Sequence, residues 1–333
     1  MQSFFLRFCL LLLLSLPVFN AFADPLVVYS ARKEHLIKPL FDLYSEKTGQ
    51  EIRYITDKAA PLLARLKAEG NNSPADILMT VDAGNLWHAA EQGVLAEIDS
   101  ALLQDNVPAH LRDRQNRWFG VSIRARTLVY STQRVKAEEL STYEDLADPK
   151  WKGRLCLRTS KKVYNQSLVA MMIAELGEEK AEEIVRGWVA NLAAPPFSND
   201  TKAMQAVAAG QCDVTIVNTY YFGRLLEDQP DIGLALFWPN QNDRGVHVNI
   251  SGAAVTAASK KADQAKALLE WLTSAEAQQI IAGLNMEYPI NTQYPVDPRV
   301  SSWGDFKADD ADIAKAGALQ AQAVMLMDRA GYR

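Results

Sequence analysis

Val217-Asn218-Thr219-Tyr220-Tyr221-Phe222-Gly223-Arg224 joins an apolar run, Val214 to Val217, to a short helix-like segment through Leu225 and Leu226. An apolar strand running straight into a helix predicts an α/β sheet, and such sheets place ligands at the carboxyl ends of their strands. Consecutive helical residues point roughly 100° apart, so adjacent tyrosines do not normally share a packing face. In the first turn of a helix, however, the backbone can aim both hydroxyls at one point beyond the strand end. The alternative is one core tyrosine beside one exposed tyrosine, and the rest of the chain weighs between the two.

Upstream, the same rhythm recurs. Pro25 to Tyr29 reads as a strand, and Leu36, Leu40, Phe41 and Tyr44 give the next segment one apolar face, ended by Gly49. Pro39 falls in its first turns. Glu51 to Thr56 alternates as a strand, Ala60 to Ala68 is amphipathic, Pro74 to Thr80 is a buried strand, and another helix surrounds Leu86-Trp87. This β-α-β-α-β order predicts a doubly wound, mainly parallel sheet. Gly120 to Tyr130 is a long β-prone segment that puts Arg124 and Arg126 on one face; a strand this long suits a crossing between two lobes. A second α/β set follows: a strand at Gly153–Arg158, a helix-like stretch around Tyr164, helices over Glu182–Leu192 and Asp200–Ala209, and a strand from Cys212. His247 to Val255 predicts a return crossing. Helices are expected over Ala262–Leu272 and Ala275–Leu284, with a closing one from Ala311 to Ala330.

Residues 1–23 have the form of a secretory signal peptide, with Arg7, an apolar run from Phe8 to Leu16, and Ala21-Phe22-Ala23 as the cleavage site. The mature protein is expected to start at Asp24, in the periplasm. Removing Arg7 takes the formal net charge of −5 one unit lower, which argues against nucleic acid or an anionic membrane as partner. What remains of the 333-residue chain exceeds one ordinary core, so two lobes are expected. Cys156 and Cys212 lie in short apolar segments of an exported protein. One disulfide between neighbouring strands is the natural reading, against two buried thiols.

The sequence holds no G-x-S-x-G, H-E-x-x-H, Walker or G-x-G-x-x-G motif, and His35, His88, His110 and His247 lack metal-ligand spacing. A binding protein is expected, not an enzyme. A phenol, with pKa near 10, ligates only a cation that polarises it strongly. Ferric ion is hard and trivalent and selects oxygen; three phenolates would cancel its charge. A small bidentate anion in the remaining positions would call for an arginine, and Arg124 or Arg126 can supply one.

Several blocks then carry a resemblance over nearly the whole mature chain. They are Val27–Arg32 (VVYSAR), Ser73–Trp87 (SPADILMTVDAGNLW), Arg124–Tyr130 (RARTLVY), Asp148–Ser160 (DPKWKGRLCLRTS), Tyr164–Ala170 (YNQSLVA), Val217–Leu225 (VNTYYFGRL), Asn249–Val255 (NISGAAV) and Glu287–Asn291 (EYPIN). In order and spacing they resemble the periplasmic ferric-ion-binding proteins of bacterial ABC iron importers, of bacterial-transferrin type. The resemblance implies a two-lobe type II periplasmic binding protein fold with the ligand cleft between lobes, here 24–123 plus 249–298 and 124–248 plus 299–333. It implies a monomer that carries Fe(3+), with carbonate or bicarbonate as synergistic anion, to a membrane permease. The family's vicinal metal-binding tyrosines fall on Tyr220 and Tyr221, a third on Tyr164, and the anion-contacting arginine on Arg124 or Arg126. Where many relatives have histidine after the first strand this chain has Lys33 and Glu34, with His35 too late; where some have an acidic ligand it has Val81. The first lobe thus offers no standard ligand, leaving Glu34 or Asp82 as the groups able to reach the cleft. The competing reading keeps the fold and changes the cargo to an organic solute or oxyanion such as a polyamine, thiamine or phosphonate.

Overall fold

The computed structural model describes residues 24–333; the expected signal peptide and Cys9 lie outside the described residues. The chain opens with β1 (Leu26–Ser30), α1 (Glu34–Thr48), β2 (Ile52–Thr56), α2 (Ala59–Glu69), β3 (Ile77–Val81), α3 (Ala83–Glu91) and α4 (Ala101–Asn106). The apolar stripe of α1 buries Leu36, Ile37, Leu40, Phe41 and Tyr44. Gly49 ends that helix with φ 74°, the left-handed conformation that glycine adopts at least cost. Strands β2, β1 and β3 are parallel neighbours, as the alternation predicts.

The long β4 (Phe119–Ser131) follows, then β5 (Leu155–Cys156), α5 (Val163–Leu176), α6 (Glu178–Asn191), α7 (Asp200–Ala208), β6 (Val214–Asn218), α8 (Thr219–Asp228) and β7 (Leu234–Phe237). The return strand β8 (Val248–Val255) precedes α9 (Ala262–Leu272), α10 (Ala275–Asn285), β9 (Tyr288–Pro289), α11 (Pro298–Ser301), α12 (Ala314–Ala318) and α13 (Gln320–Arg329). The sheet runs β2-β1-β3-β8-β4-β6-β5, with β7 and β9 also on β4. Its outer pairs are parallel, whereas β8 and β4 run antiparallel to each other and to the strands on either side. The N-terminal part of β4 pairs with β8 (Ala125 opposite Val248) and its C-terminal part with β6 (Arg126 opposite Asn218). Both crossings expected from the sequence are therefore present, hydrogen-bonded to one another.

Two expectations change. The strand expected over Gly153–Arg158 shrinks to Leu155–Cys156, because only those residues pair with β6. The helix expected over Ala311–Ala330 is two helices, α12 and α13, meeting at Leu319. Gly317 explains why α12 keeps its own direction: a Cβ there would lie 2.5 Å from that of Trp87, so α12 is seated against α3.

Cys156 and Cys212 form a disulfide with Cα atoms 5.9 Å apart. Cys156 ends β5 and Cys212 stands two residues before β6, so the bridge clamps the parallel pair from which the tyrosine helix emerges. Thiol titration of the denatured, unreduced mature protein should find no free thiol. Closing a loop of sequence separation 56 should stabilise the fold by about 4 kcal/mol, readable in denaturant unfolding of the Cys156→Ser, Cys212→Ser double variant. Two titratable thiols in the wild type would contradict the bridge.

Candidate metal centre

Strand β6 is buried along its whole length and passes into α8 without a loop: Asn218 ends the strand and serves as the N-cap. Thr219, Tyr220 and Tyr221 are then the first three helical residues, where backbone N–H groups have no helical acceptor and the helix dipole favours negative charge. The two rings share this turn at 4.4 Å between centroids. Tyr220 is buried and its hydroxyl accepts from Asn218 Nδ2 at 3.2 Å; Tyr221 is half-buried. Gly223 lets this turn settle, because a Cβ there would stand 2.4 Å from Met286 Sδ and 2.7 Å from the Trp303 ring.

Tyr164, the second residue of α5, is buried and shares the lining of one cleft with Tyr220. All three tyrosines line a cleft of about 680 Å³. Burial, and then the neighbouring phenols of Tyr164 and Tyr221, push the Tyr220 hydroxyl well above the ordinary phenol range. Burial also raises Tyr164, although the nearby Arg124 guanidinium opposes it.

Cations surround the phenols. Arg124 stands 5.3 Å from the Tyr164 ring centre, Lys162 5.0 Å from it, and Arg224 5.3 Å from that of Tyr220. Lys33 and Lys58 face the same cleft from the opposite wall. Burial, together with Arg158, pushes the Lys162 ammonium below its usual range.

The structure separates the two arginines that share one face of β4. Arg124 lines the cleft; its Nη1 donates to Ser251 at 3.3 Å, and its buried Nη2 has no protein partner. Arg126 lies behind the tyrosines, with Asp200 at 3.2 Å and Asn218 Oδ1 at 3.0 Å on Nη1, and Asn165 on Nη2. Neither acid considered for the first lobe reaches the cleft. Glu34 is exposed and accepts from Tyr54 at 2.9 Å. Asp82 is fully buried as the cap of α3, accepting from Gly84 at 3.0 Å, Ser167 at 2.7 Å and Asn249 at 3.0 Å. His35 is exposed, and Val81 lines the cleft as an apolar wall.

Sequence reasoning missed two participants. Glu287 lines the cleft floor, paired with Arg32 at 3.1 Å and accepting from Ser122 at 2.7 Å. Burial opposes its charge, but Arg32, Arg124 and Ser122 outweigh burial and hold the carboxyl below its usual range. Arg158 sits 5.5 Å from the Tyr164 ring centre and 5.9 Å from that of Tyr221. The only signal for Arg158 was its place two residues beyond Cys156, and for Glu287 its place in the late EYPIN block.

Residues 72–316 match the bacterial extracellular solute-binding protein family. Over 312 residues the chain is 43% identical to iron uptake protein A1 of Synechocystis, covering 92% of this chain and 87% of that protein. The structure of Trichodesmium IdiA (FutA) in complex with iron and citrate ligands superposes with TM-score 0.90 at 43% identity, over 93% of this chain and all 100% of the other. Apo FutA2 from Synechocystis superposes with TM-score 0.88 at 39% identity, over 93% and 99%. The two-lobe fold expected from the sequence is the fold of these proteins. A strand-to-helix tyrosine pair in a cleft over two crossing strands, carried by a chain so similar along its length, places this protein in the bacterial extracellular solute-binding protein family.

Proposed function

We propose that this protein is an exported carrier that binds one ferric ion through the phenolates of Tyr164, Tyr220 and Tyr221 and hands it to the membrane permease of an ABC importer. The observation that carries this reading is the meeting of three phenols at one end of a cationic cleft. Phenolates supply hard oxygen donors and the charge that a trivalent ion requires. The surplus of basic groups around them favours an anion bound beside the metal, and Arg124, with a free buried Nη2, is the residue for it. Iron is the cargo of relatives that align with more than nine-tenths of this chain. The lobes are taken as 24–123 with 249–298 and 124–248 with 299–333. Among the described residues no helix is long and apolar enough to cross a membrane, so the permease would supply the membrane passage.

Titration with ferric nitrilotriacetate should give a visible phenolate-to-iron band. Tyr220→Phe and Tyr221→Phe should each lose most of it, and Tyr164→Phe should shift it as water or anion takes the vacated position. Wild-type colour in the Tyr220→Phe, Tyr221→Phe double variant would end the ferric reading. Below the phenol pKa values each ligand must shed a proton on binding. Apparent affinity should therefore rise with pH by up to about three logarithmic units per pH unit, and iron should be lost as pH falls.

The arginines should part company. Arg126→Gln leaves buried acceptors without their cation and should destabilise the fold by about 3–5 kcal/mol in denaturant unfolding. Arg124→Gln should instead weaken iron mainly when bicarbonate is the available anion. Equal bicarbonate dependence in the two variants would contradict the assignment.

A further inference from the structure

Behind the phenols, outside the cleft, lies a buried carboxylate that ligation itself does not use. Asp200 opens α7 and is fully buried. Its Oδ2 pairs with Arg126 Nη1 at 3.2 Å and accepts the backbone N–H of Asn218 at 3.0 Å; its Oδ1 pairs with Arg158 Nη1 at 3.2 Å. Each partner leads on to a tyrosine. Arg126 also donates to Asn218 Oδ1, whose amide Nδ2 donates to the Tyr220 hydroxyl. The other end of the Arg126 guanidinium donates to Asn165, the neighbour of Tyr164, and Asn165 Nδ2 in turn donates to the carbonyls of Arg158 and Thr159 at 2.9 and 3.0 Å. Arg158 stands against the rings of both Tyr164 and Tyr221.

We infer that Asp200 is a positioning residue for all three phenols, holding α5 and the start of α8 in register through Arg126 and Arg158. The inference rests on the ferric reading. The phenols lie up to 57 residues apart in the chain, from Tyr164 to Tyr221, so their common geometry is held by contacts between elements, and none of the three is hydrogen-bonded to Asp200 itself. Two of the links run through a fork-shaped guanidinium, which holds direction as well as distance, and the third is the direct bond from the Asn218 N–H to Asp200. One carboxylate between two arginines also leaves net positive charge behind the phenols, which favours them as phenolates once a cation arrives. Outer partners of this kind commonly govern metal affinity as strongly as they govern stability.

Asp200→Asn keeps the size of the side chain and an oxygen for the Asn218 N–H, but removes the charge that aligns both guanidiniums. In the folded variant, judged by cooperative thermal unfolding, iron affinity against a competing chelator should fall about 10- to 100-fold. The visible band should also move, because at least one phenolate is replaced by water. A residue that only supports the fold would lower the unfolding temperature and leave the band in place. Asn165→Ala removes the Arg126 bond to α5, together with the amide's donations to the Arg158 and Thr159 carbonyls and the Tyr332 hydroxyl, and leaves Arg126 paired with Asp200 and Asn218. Its band should shift in the direction of the Tyr164→Phe variant. An unchanged band and affinity in folded Asp200→Asn, or in folded Asn165→Ala should Asp200→Asn not fold, would overturn the inference while the ferric reading stands. A wild-type protein that takes no colour from ferric nitrilotriacetate would remove both together.

Discussion

The antiparallel ladder between β4 and β8 is the constraint on which the site depends. Strand β4 is long enough, at 13 residues, to be hydrogen-bonded to β8 over its first part and to β6 over its second. The change of partner falls between Ala125, opposite Val248, and Arg126, opposite Asn218. Residues 124 and 126 share a face by the two-residue period of the strand. They nevertheless serve different neighbours, since one lies over the β8 ladder at the cleft floor and the other over the strand that becomes the tyrosine helix. A register shift of one residue would turn both guanidiniums to the other face and bury apolar groups beneath the phenols.

Burying phenols and guanidiniums together makes the site electrostatically conditional. With their protons on, Tyr164 and Tyr220 are neutral, and burial keeps them so. Arg124 then has no ion-pair partner among the described residues, and its buried Nη2 is unpartnered. On the proposed reading, a trivalent ion would reverse this by displacing the protons: the phenolates would gain the ion as partner and also lie against the guanidiniums. The same cations that would repel a bare metal would stabilise the phenolates and anion proposed to hold it. On the floor, the Arg32–Glu287 pair neutralises itself at 3.1 Å, so the wall opposite the tyrosines contributes shape and charge balance more than ligands.

The features legible in the sequence were those set by local pattern. Strand-then-helix at Val217–Tyr221, the long β run around Arg124, the helix end at Gly49 and the cysteine pair in two short apolar segments all follow from periodicity, turn chemistry or composition. What escaped depends on contacts between distant parts of the chain. Asp200 reads in sequence as an ordinary first-turn acid, and only the arrival of Arg126 and Arg158, 74 and 42 residues away, makes it a hub. Arg124 and Arg126 are equivalent by alternation and differ only in which strand lies alongside. The break at Leu319 follows from α12 seating Gly317 on Trp87 of a distant helix, which no propensity anticipates.

The placement of all three phenols on α5 and α8 bears on how the cleft responds to cargo. A ligand shifts an equilibrium between open and closed forms only by its difference in affinity for the two. On the proposed reading, direct ligation by Tyr164, Tyr220 and Tyr221 would involve one wall and so contribute little to that difference. The remaining coupling lies with the groups that face them, Lys33, Lys58 and the Arg32–Glu287 floor, acting through charge across the gap. Behind the cleft, Ser167 of α5 donates to Asp82 at 2.7 Å, and Arg299 joins Glu227 of α8 at 2.6 Å to the Gly283 carbonyl of α10 at 2.7 Å. These links join the tyrosine-bearing helices to the opposite side. On that reading the carrier would recognise its ion chiefly by the prearranged phenols and leave closure to electrostatic contact with the metal–anion complex as a whole.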